Sequence, residues 1–356
     1  SYAASTAENH TQVLESTRII TSISALTLER LNSLTRWLES HSAGRQFSLS
    51  PASADASFRR YFRVEYEDGS TLVVMDAPPS QEDSAPFIQI ARLMADCGLN
   101  VPTVIASDLR QGFLLLTDLG KTTYLNALNN TTADELFDAA TSALVRWQLA
   151  SREGVLPAYD EALLRRELAL FPEWYVSKHL GVQLDSGQSE ALQRTFDLIV
   201  RDNLAQPATY VHRDFMPRNL MVCGPNPGIL DFQDAVYGPI TYDVVSLFRD
   251  AFVSWEEERA LDWIVRYWEK ARNAKLPVRS DFGEFYREFE WMGLQRHLKV
   301  LGIFARIRYR DGKPAYLEDA PRFVAYIRAV TERYSSLAPL GNLFDSLEQQ
   351  TAPNSL

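Results

Sequence analysis

Residues Tyr210 to Asp234 read YVHRDFMPRNLMVCGPNPGILDFQD. The stretch holds His212-Arg213-Asp214, then Asn219, then Leu230-Asp231-Phe232. Tyr210-Val211 is a short apolar run entering a polar loop. Leu220-Met221-Val222 and Ile229-Leu230 lie on either side of Gly224-Pro225-Asn226-Pro227-Gly228, a pattern that predicts a β-hairpin with an irregular turn. Asp214 and Asn219 then flank one loop, and Asp231 sits just past the returning strand. Three oxygen-bearing side chains converge on one point. One is placed to take a proton and two to hold a hard cation.

An H-R-D-x-x-x-x-N loop followed by D-F is the catalytic arrangement of protein kinases, in which the first aspartate serves as base and the asparagine and second aspartate bind metal. A bare H-x-D recurs often by chance. The longer pattern with a hairpin inside it recurs much less.

The rest of the chain is consistent with an enzyme of two packed lobes. It has 356 residues, 46% hydrophobic and 23% charged, enough to bury a core. The formal net charge of −10 argues against nucleic acid or an anionic membrane as partner. A phosphate ligand stays open, because Mg²⁺ can supply the local positive field. Two cysteines, Cys97 and Cys223, are too few for a disulfide framework and lack metal-ligand spacing. No run is long and apolar enough to span a membrane, and no basic-then-apolar leader pattern is present, so a cytoplasmic location is expected.

Taken in order, residues 1–24 are weakly patterned and read as a loosely held tail. Leu31, Leu34 and Leu38 repeat at helical spacing up to Gly44. Phe47-Ser48-Leu49 is a first strand. Phe58 to Tyr66 alternates with period two, turns at Asp68-Gly69, and returns as Thr71 to Asp76. Between these runs, Ser53-Ala54-Asp55-Ala56-Ser57 is a small-residue loop able to present N–H groups to an anion. Phe87, Ile90, Ala91 and Met94 mark a helix. Val104 to Ala106 and Phe113 to Leu116 are two further strands, leading into Thr117-Asp118-Leu119-Gly120. From Thr132 the pattern is helical, opening on a capping box at Thr132 to Glu135 and interrupted at Pro172. Later helices are expected over 243–252, 257–272, 281–308 and 320–337, with a frayed end at 351–356. The expected fold is α+β and bilobal, protein-kinase-like. A tail spans 1–24. An ATP-binding N-lobe over 25–119 has a five-stranded antiparallel sheet and one helix. A larger, mostly helical C-lobe over 120–356 carries the catalytic loop and substrate site.

With motif and lobes in place, the chain resembles the aminoglycoside phosphotransferase and choline kinase superfamily over roughly Phe47 to Leu337. The strings DASFRRYFRV (55–64), MDAPP (75–79), LLLTDLG (114–120), LDFQDAVYGPITYDVVSLFRD (230–250) and QRHLKVLGIFARI (295–307) are similar to the bacterial anomeric amino-sugar kinases of cell-wall recycling, which act on N-acetylmuramate and N-acetylglucosamine. The resemblance implies ATP and Mg²⁺ as cofactors and an amino sugar as substrate; a monomer is expected. It implies that Asp214 deprotonates the accepting hydroxyl, that His212 braces the loop, that Asn219 and Asp231 bind Mg²⁺, and that Asp243 supports the loop from a helix. Thr117, Asp118 and Leu119 would hydrogen-bond adenine through their backbone.

Three departures stand out. The strand that should carry the ATP-phosphate lysine reads Val73-Val74-Met75-Asp76. The glycine-rich loop is replaced by Ser53 to Ser57. Arg218 precedes the metal asparagine, and Gln233 follows Asp231-Phe232 where a glycine is usual. Arg60 or Arg59 is the expected lysine replacement, against three solvated edge arginines as the alternative. Substrate contacts are expected from Arg166, Glu167, Trp174, Gln233 and Arg306, a mix of aromatic, acid and guanidinium groups suited to a sugar. Phosphorylation of another alcohol, of aminoglycoside or choline type, is the nearest alternative. A pseudokinase binding module is a second, favoured by the missing lysine and opposed by the retained Asp214, Asn219 and Asp231.

Overall fold

The structure is a computed structural model and describes residues 28–53 and 58–351. The expected tail, the loop residues Ala54, Asp55, Ala56 and Ser57, and the chain end after Thr351 lie outside the described residues. The chain forms two compact units. One runs up to Ala85 and includes Thr103–Asp118; the other comprises Pro86–Pro102 and Leu119 onward.

The first unit is a helix over 28–41 (α1) on a five-stranded antiparallel sheet: β1 Phe47–Ser53, β2 Arg60–Tyr66, β3 Thr71–Asp76, β4 Val104–Asp108 and β5 Phe113–Thr117, in the order β1-β2-β3-β5-β4. Residues directly opposite in an antiparallel ladder share a face. Val64, Tyr66, Val74, Phe113 and Leu115 therefore form one face, and Leu34, Trp37 and Leu38 of α1 pack onto it. The register sets Arg60 opposite Asp76 and Asp76 opposite Phe113, which puts Arg60 on this helix-covered face. Tyr61, Arg63, Val73 and Met75 face the other way. The turn before β5 requires glycine: Gly112 has φ +76°, and a Cβ there would lie 1.8 Å from the Ala77 carbonyl oxygen.

The second unit takes the segment 86–102, including most of helix α2 (Ala85–Asp96), rather than leaving it with the sheet. The buried face of α2 carries Phe87, which meets Phe232 with ring centres 4.9 Å apart. The helices that follow are α3 Tyr124–Ala127, α4 Ala133–Leu149, α5 Glu161–Leu170, α6 Ser186–Leu204, α7 Tyr242–Phe248, α8 Glu257–Asn273, α9 Phe282–Asp311, α10 Ala320–Arg333 and α11 Ala338–Thr351. The last of these was not expected from the sequence. Thr132 makes no capping hydrogen bond: its hydroxyl instead donates to the Ala127 carbonyl. The capping box forms at α6, between Asp185 and Gln188.

Pro172 does not end the helix at α5. The chain widens into a π-helix over Phe171–His179, where the missing proline N–H is tolerated in a first turn. Helix α9 is buried on nearly every side through its middle, from Phe289 to Leu298, and forms the spine of this unit. At Gly302 it meets the end of α5 so closely that a Cβ would lie 2.4 Å from the Leu170 carbonyl carbon.

Candidate active site

Strand β6 (Ala208–Val211), paired antiparallel with β9 (Val236–Pro239), delivers the His212 loop. A short 3₁₀ turn, Pro217–Asn219, leads to β7 (Leu220–Met221), which pairs with β8 (Gly228–Ile229). The expected hairpin is present, and it brings Asn219 back to Asp231. The Asn219 Nδ2 donates to the Asp214 carbonyl at 3.0 Å and to Asp231 Oδ2 at 3.4 Å. Gln233 Nε2 donates to the other Asp231 oxygen at 2.6 Å. Arg213 and Asp231 both sit in the left-handed region, φ 78° and 59°, so the loop holds its two turning points at some cost in backbone strain.

Two buried groups fix the loop. Asp243, in the first turn of α7, accepts the backbone N–H of His212 at 2.7 Å and of Arg213 at 3.0 Å. Burial pushes its carboxyl up to about 7, against those two donors. His212 lies fully buried beneath the loop. A carbonyl only accepts, so its Nε2 carries the proton and donates to Leu230 at 3.0 Å, while Nδ1 accepts the Asp214 N–H at 3.2 Å. Burial holds this imidazole down at about 4, so it stays neutral and braces the loop. The Asp214 carboxylate, half-buried, has no hydrogen-bond or ion-pair partner among the described residues and is available to a substrate hydroxyl.

A charge cluster beside the loop had no signal in the sequence reading. Glu167 is buried and bonded to Arg213, to Lys299 Nζ at 3.0 Å, and to the Tyr159 hydroxyl. Lys299 also donates to the Tyr242 hydroxyl at 3.1 Å. Glu167 was expected to touch substrate. Its carboxylate is instead consumed by two cations and a phenol beside the catalytic loop. Arg296, one turn before Lys299 on α9, is likewise buried, with Nη2 3.7 Å from Met216 Sδ. The resemblance of 295–307 flagged this helix, but nothing in its spacing identified two buried cations.

The other expected substrate residues are scattered. Arg166 is exposed on α5 and Trp174 half-buried on the π-helix. Arg306 is half-buried near Glu173, Arg310 and Asp311; burial, then Arg310, lowers its guanidinium pKa. It stands about 10 Å along α9 from Lys299, at 1.5 Å per residue. Gln233 is buried with its amide engaged on Asp231, so it orients that carboxylate.

In the first unit, Arg60 pairs with Asp76, which also binds Arg30 at 2.5 Å. The register places Arg60 under α1, on the face opposite the one that carries Met75. Arg59 pairs with Glu82 at 3.0 Å. Arg63 shares a face with Met75 and binds Asp118 through two bonds, 2.6 and 3.1 Å. The Asp118 carboxylate is thus tied back to the sheet. Thr117 spends its backbone N–H on Thr103 at 3.0 Å. Ser53 closes β1, and Leu119 opens the second unit.

The oxygens of this loop suit a hard divalent cation. Asp231 is a carboxylate, and with both Asn219 amide protons directed to Asp214 and Asp231, the Asn219 Oδ1 is left as an acceptor with no donor among the described residues. Mg²⁺ uses one or two such protein oxygens and takes the rest from water and substrate phosphates. Among the described residues no group of three or more His, Cys, Asp or Glu could hold a metal on its own.

A five-stranded antiparallel sheet, a helical unit and an H-R-D-x-x-x-x-N loop with its downstream aspartate define a kinase-like phosphotransferase. The sequence model of the phosphotransferase enzyme family matches residues 48–280. The chain belongs to this family and is a small-molecule kinase. It is 56% identical to the N-acetylmuramate/N-acetylglucosamine kinase of Pseudomonas aeruginosa, over 85% of this chain and 89% of that protein. It is 53% identical to the protein of the same name from Neisseria meningitidis serogroup B, over 88% and 94% of the two chains. In three dimensions it is similar to an amicoumacin kinase solved with AMP-PNP and Ca²⁺, with a TM-score of 0.58 at 16% identity, over 81% of this chain and 91% of the other.

Proposed function

We propose that this kinase transfers the γ-phosphoryl group of ATP to the anomeric hydroxyl of N-acetylmuramate and N-acetylglucosamine, in cytoplasmic recycling of peptidoglycan sugars. The observation that carries the reading is the unpartnered Asp214 carboxylate, held on a braced loop beside Asn219 and Asp231. Identity above one half to kinases named for these two sugars supports the acceptor.

Asp214 accepts the proton as the anomeric oxygen bonds to the γ-phosphorus and the bond to the β-phosphate bridge oxygen breaks. The products are sugar 1-phosphate, ADP and one proton. A bound Mg²⁺, held by Asn219 and Asp231, would offset charge on the phosphates. His212, Asp243 and the Glu167 cluster keep Asp214 at a fixed position, which suits phosphoryl transfer because its catalysis rests on positioning and charge. In the first unit we assign the phosphate-binding cation to Arg63, braced by Asp118. This takes the role expected of a strand lysine. An anomeric hydroxyl is more acidic than other sugar hydroxyls, so a carboxylate suffices as base.

Incubation of each sugar with ATP and Mg²⁺, followed by phosphorus NMR, tests the proposal. Phosphate should appear on the anomeric carbon, and the methyl glycosides should be inert. Turnover of the methyl glycosides, or phosphate on the primary carbon, sinks the anomeric assignment.

A further inference from the structure

Along the catalytic loop, burial alternates residue by residue. Phe215, Pro217 and Asn219 are buried, while Asp214, Met216 and Arg218 are half-buried and reach accessible surface. On its open side the base is therefore followed by a thioether and then a guanidinium. The chain from Asp214 to Arg218, fully extended, spans about 14 Å at most. Here it is folded tighter, since Met216 N–H donates to the Asp214 carbonyl and Asn219 N–H to the Met216 carbonyl, each at 2.9 Å. One amino sugar, together with the two side chains, spans that interval.

Arg218 differs from the other cations around the loop. Arg213 and Lys299 are bound to Glu167, and Arg296 is buried behind Met216, its Nη2 3.7 Å from Met216 Sδ. Arg218 has no hydrogen bond and no acid within ion-pair distance among the described residues. Its guanidinium carbon lies over the Phe252 ring, 5.1 Å from the centre. Phe252 is held in turn, because the buried Asp250 carboxylate accepts the N–H of Phe252 at 2.9 Å and of Val253 at 3.1 Å. Contact with a ring uses the face of the guanidinium and leaves the N–H donors at its edge free. That edge matches a carboxylate with two parallel bonds. The next residue diverges from it: Asn219 turns its amide to Asp214 and Asp231, whereas Arg218 reaches Phe252 beyond the end of α7. The guanidinium thus belongs to the acceptor rather than to the metal and phosphates. Arg296 adds positive potential behind the same wall.

We propose that Arg218 determines specificity at the acceptor end of this site by pairing with the carboxylate of N-acetylmuramate. The inference rests on the sugars assigned under the proposed function. N-acetylmuramate is N-acetylglucosamine bearing a lactyl ether on its third carbon, and that ether carries the sugar's carboxylate. With the anomeric oxygen at Asp214, the lactyl arm runs along the open side of the loop, past Met216 and onto Arg218. Met216 gives the lactyl methyl an apolar neighbour. N-acetylglucosamine has no group for the guanidinium edge and leaves it to solvent.

The test measures kcat/KM of the full chain for both sugars and for the uncharged lactyl amide of N-acetylmuramate, at saturating ATP and Mg²⁺. The readout is the ratio between acceptors, which cancels any general loss from disturbing the loop. Arg218→Gln should lower the ratio of N-acetylmuramate to N-acetylglucosamine about tenfold or more, the size of one charge-assisted pair, and should do so through KM. Arg218→Lys keeps the charge without the fork and should recover part of that ratio. The ratio of the lactyl amide to N-acetylglucosamine should not move in either variant. If the parent phosphorylates neither sugar, the acceptor assignment falls and this pairing with it. If the parent phosphorylates both and Arg218→Gln leaves their ratio within about twofold, the pairing alone is overturned. A parent that takes N-acetylglucosamine only overturns it as well. So does an equal fall for both sugars with a raised Michaelis constant for ATP, which would make Arg218 a phosphate contact.

Discussion

Glu167→Gln removes one negative charge and almost no volume from the cluster beside the catalytic loop. Arg213 and Lys299 would then share a buried site with no acid between them. Breaking a buried pair from one side costs about 3–5 kcal/mol, because the remaining charge stays buried. Lys299 limits the loss by shedding its proton, an escape closed to Arg213. We therefore expect a loss of about 4 kcal/mol, or roughly 8–16 °C in melting temperature for a unit of this size. Lys299→Met alone leaves the Glu167–Arg213 pair intact and should cost about 1–2 kcal/mol by analogy with partly compensated polar losses. The double variant should be less destabilised than the sum by about 1–3 kcal/mol. Urea denaturation of all four proteins at pH 7.5 gives these values. The pH dependence has a fixed sign. Burial alone would raise the Glu167 carboxyl, but Lys299 and Arg213 outweigh it and hold it below its ordinary 4.5. Its stabilisation is therefore complete above 4.5 and lost as pH falls through the folded value. Parent and Glu167→Gln should converge in stability in acid. A loss under 1 kcal/mol at pH 7.5, or strict additivity, would refute a dry, mutually dependent cluster.

Asp214→Asn should fold normally and keep nucleotide affinity while turnover falls about 10²–10⁴-fold, the usual contribution of a general base; near-normal single-turnover rates would exclude it as base. Asp231→Ala should remove Mg²⁺-dependent ATP affinity in calorimetry, since so few protein oxygens hold such an ion. Arg63→Met should raise the Michaelis constant for ATP at least tenfold, which corresponds to roughly 1.4 kcal/mol of phosphate contact, and Arg60→Met should leave it within about twofold; the reverse order would return the role to Arg60. The His212 ring, followed by nitrogen NMR, should remain neutral until about pH 4. A midpoint above 6 would contradict its burial. Because that pKa lies below its unfolded value, His212 contributes stability that is lost as pH falls from about 6.5 toward 4.

The parts legible in the sequence were those with local rules. The 220–229 hairpin, the period-two strands around Asp68-Gly69 and the helical stripe of Leu34 and Leu38 each follow from short-range spacing. So does the meeting of Asn219 with Asp231, because a two-strand hairpin returns the chain to where it left. The face on which Arg60 lies was not legible, for a reason equally physical. Alternation separates inward from outward, but only the ladder to Asp76 and Phe113 says which side α1 covers. Glu167 and Lys299 lie 132 residues apart by their numbering, and no periodicity links an acid on α5 to a lysine on α9. The failed cap at Thr132 shows the same limit, since its hydroxyl found the Ala127 carbonyl first.

The near-contact of Gly302 with Leu170 has a consequence for how this enzyme can vary and move. A side chain of any size at 302 would collide with backbone rather than with a yielding side chain, so the position is closed to drift. The same crowding locks α9 against the α5 end like a pin through a hinge. Sliding by even one residue would press Ile303 or Leu301 into Leu170. Lys299 and Arg296 ride on that pinned rod, so their spacing from the loop carrying Asp214 is set by a hydrogen atom in place of a methyl group.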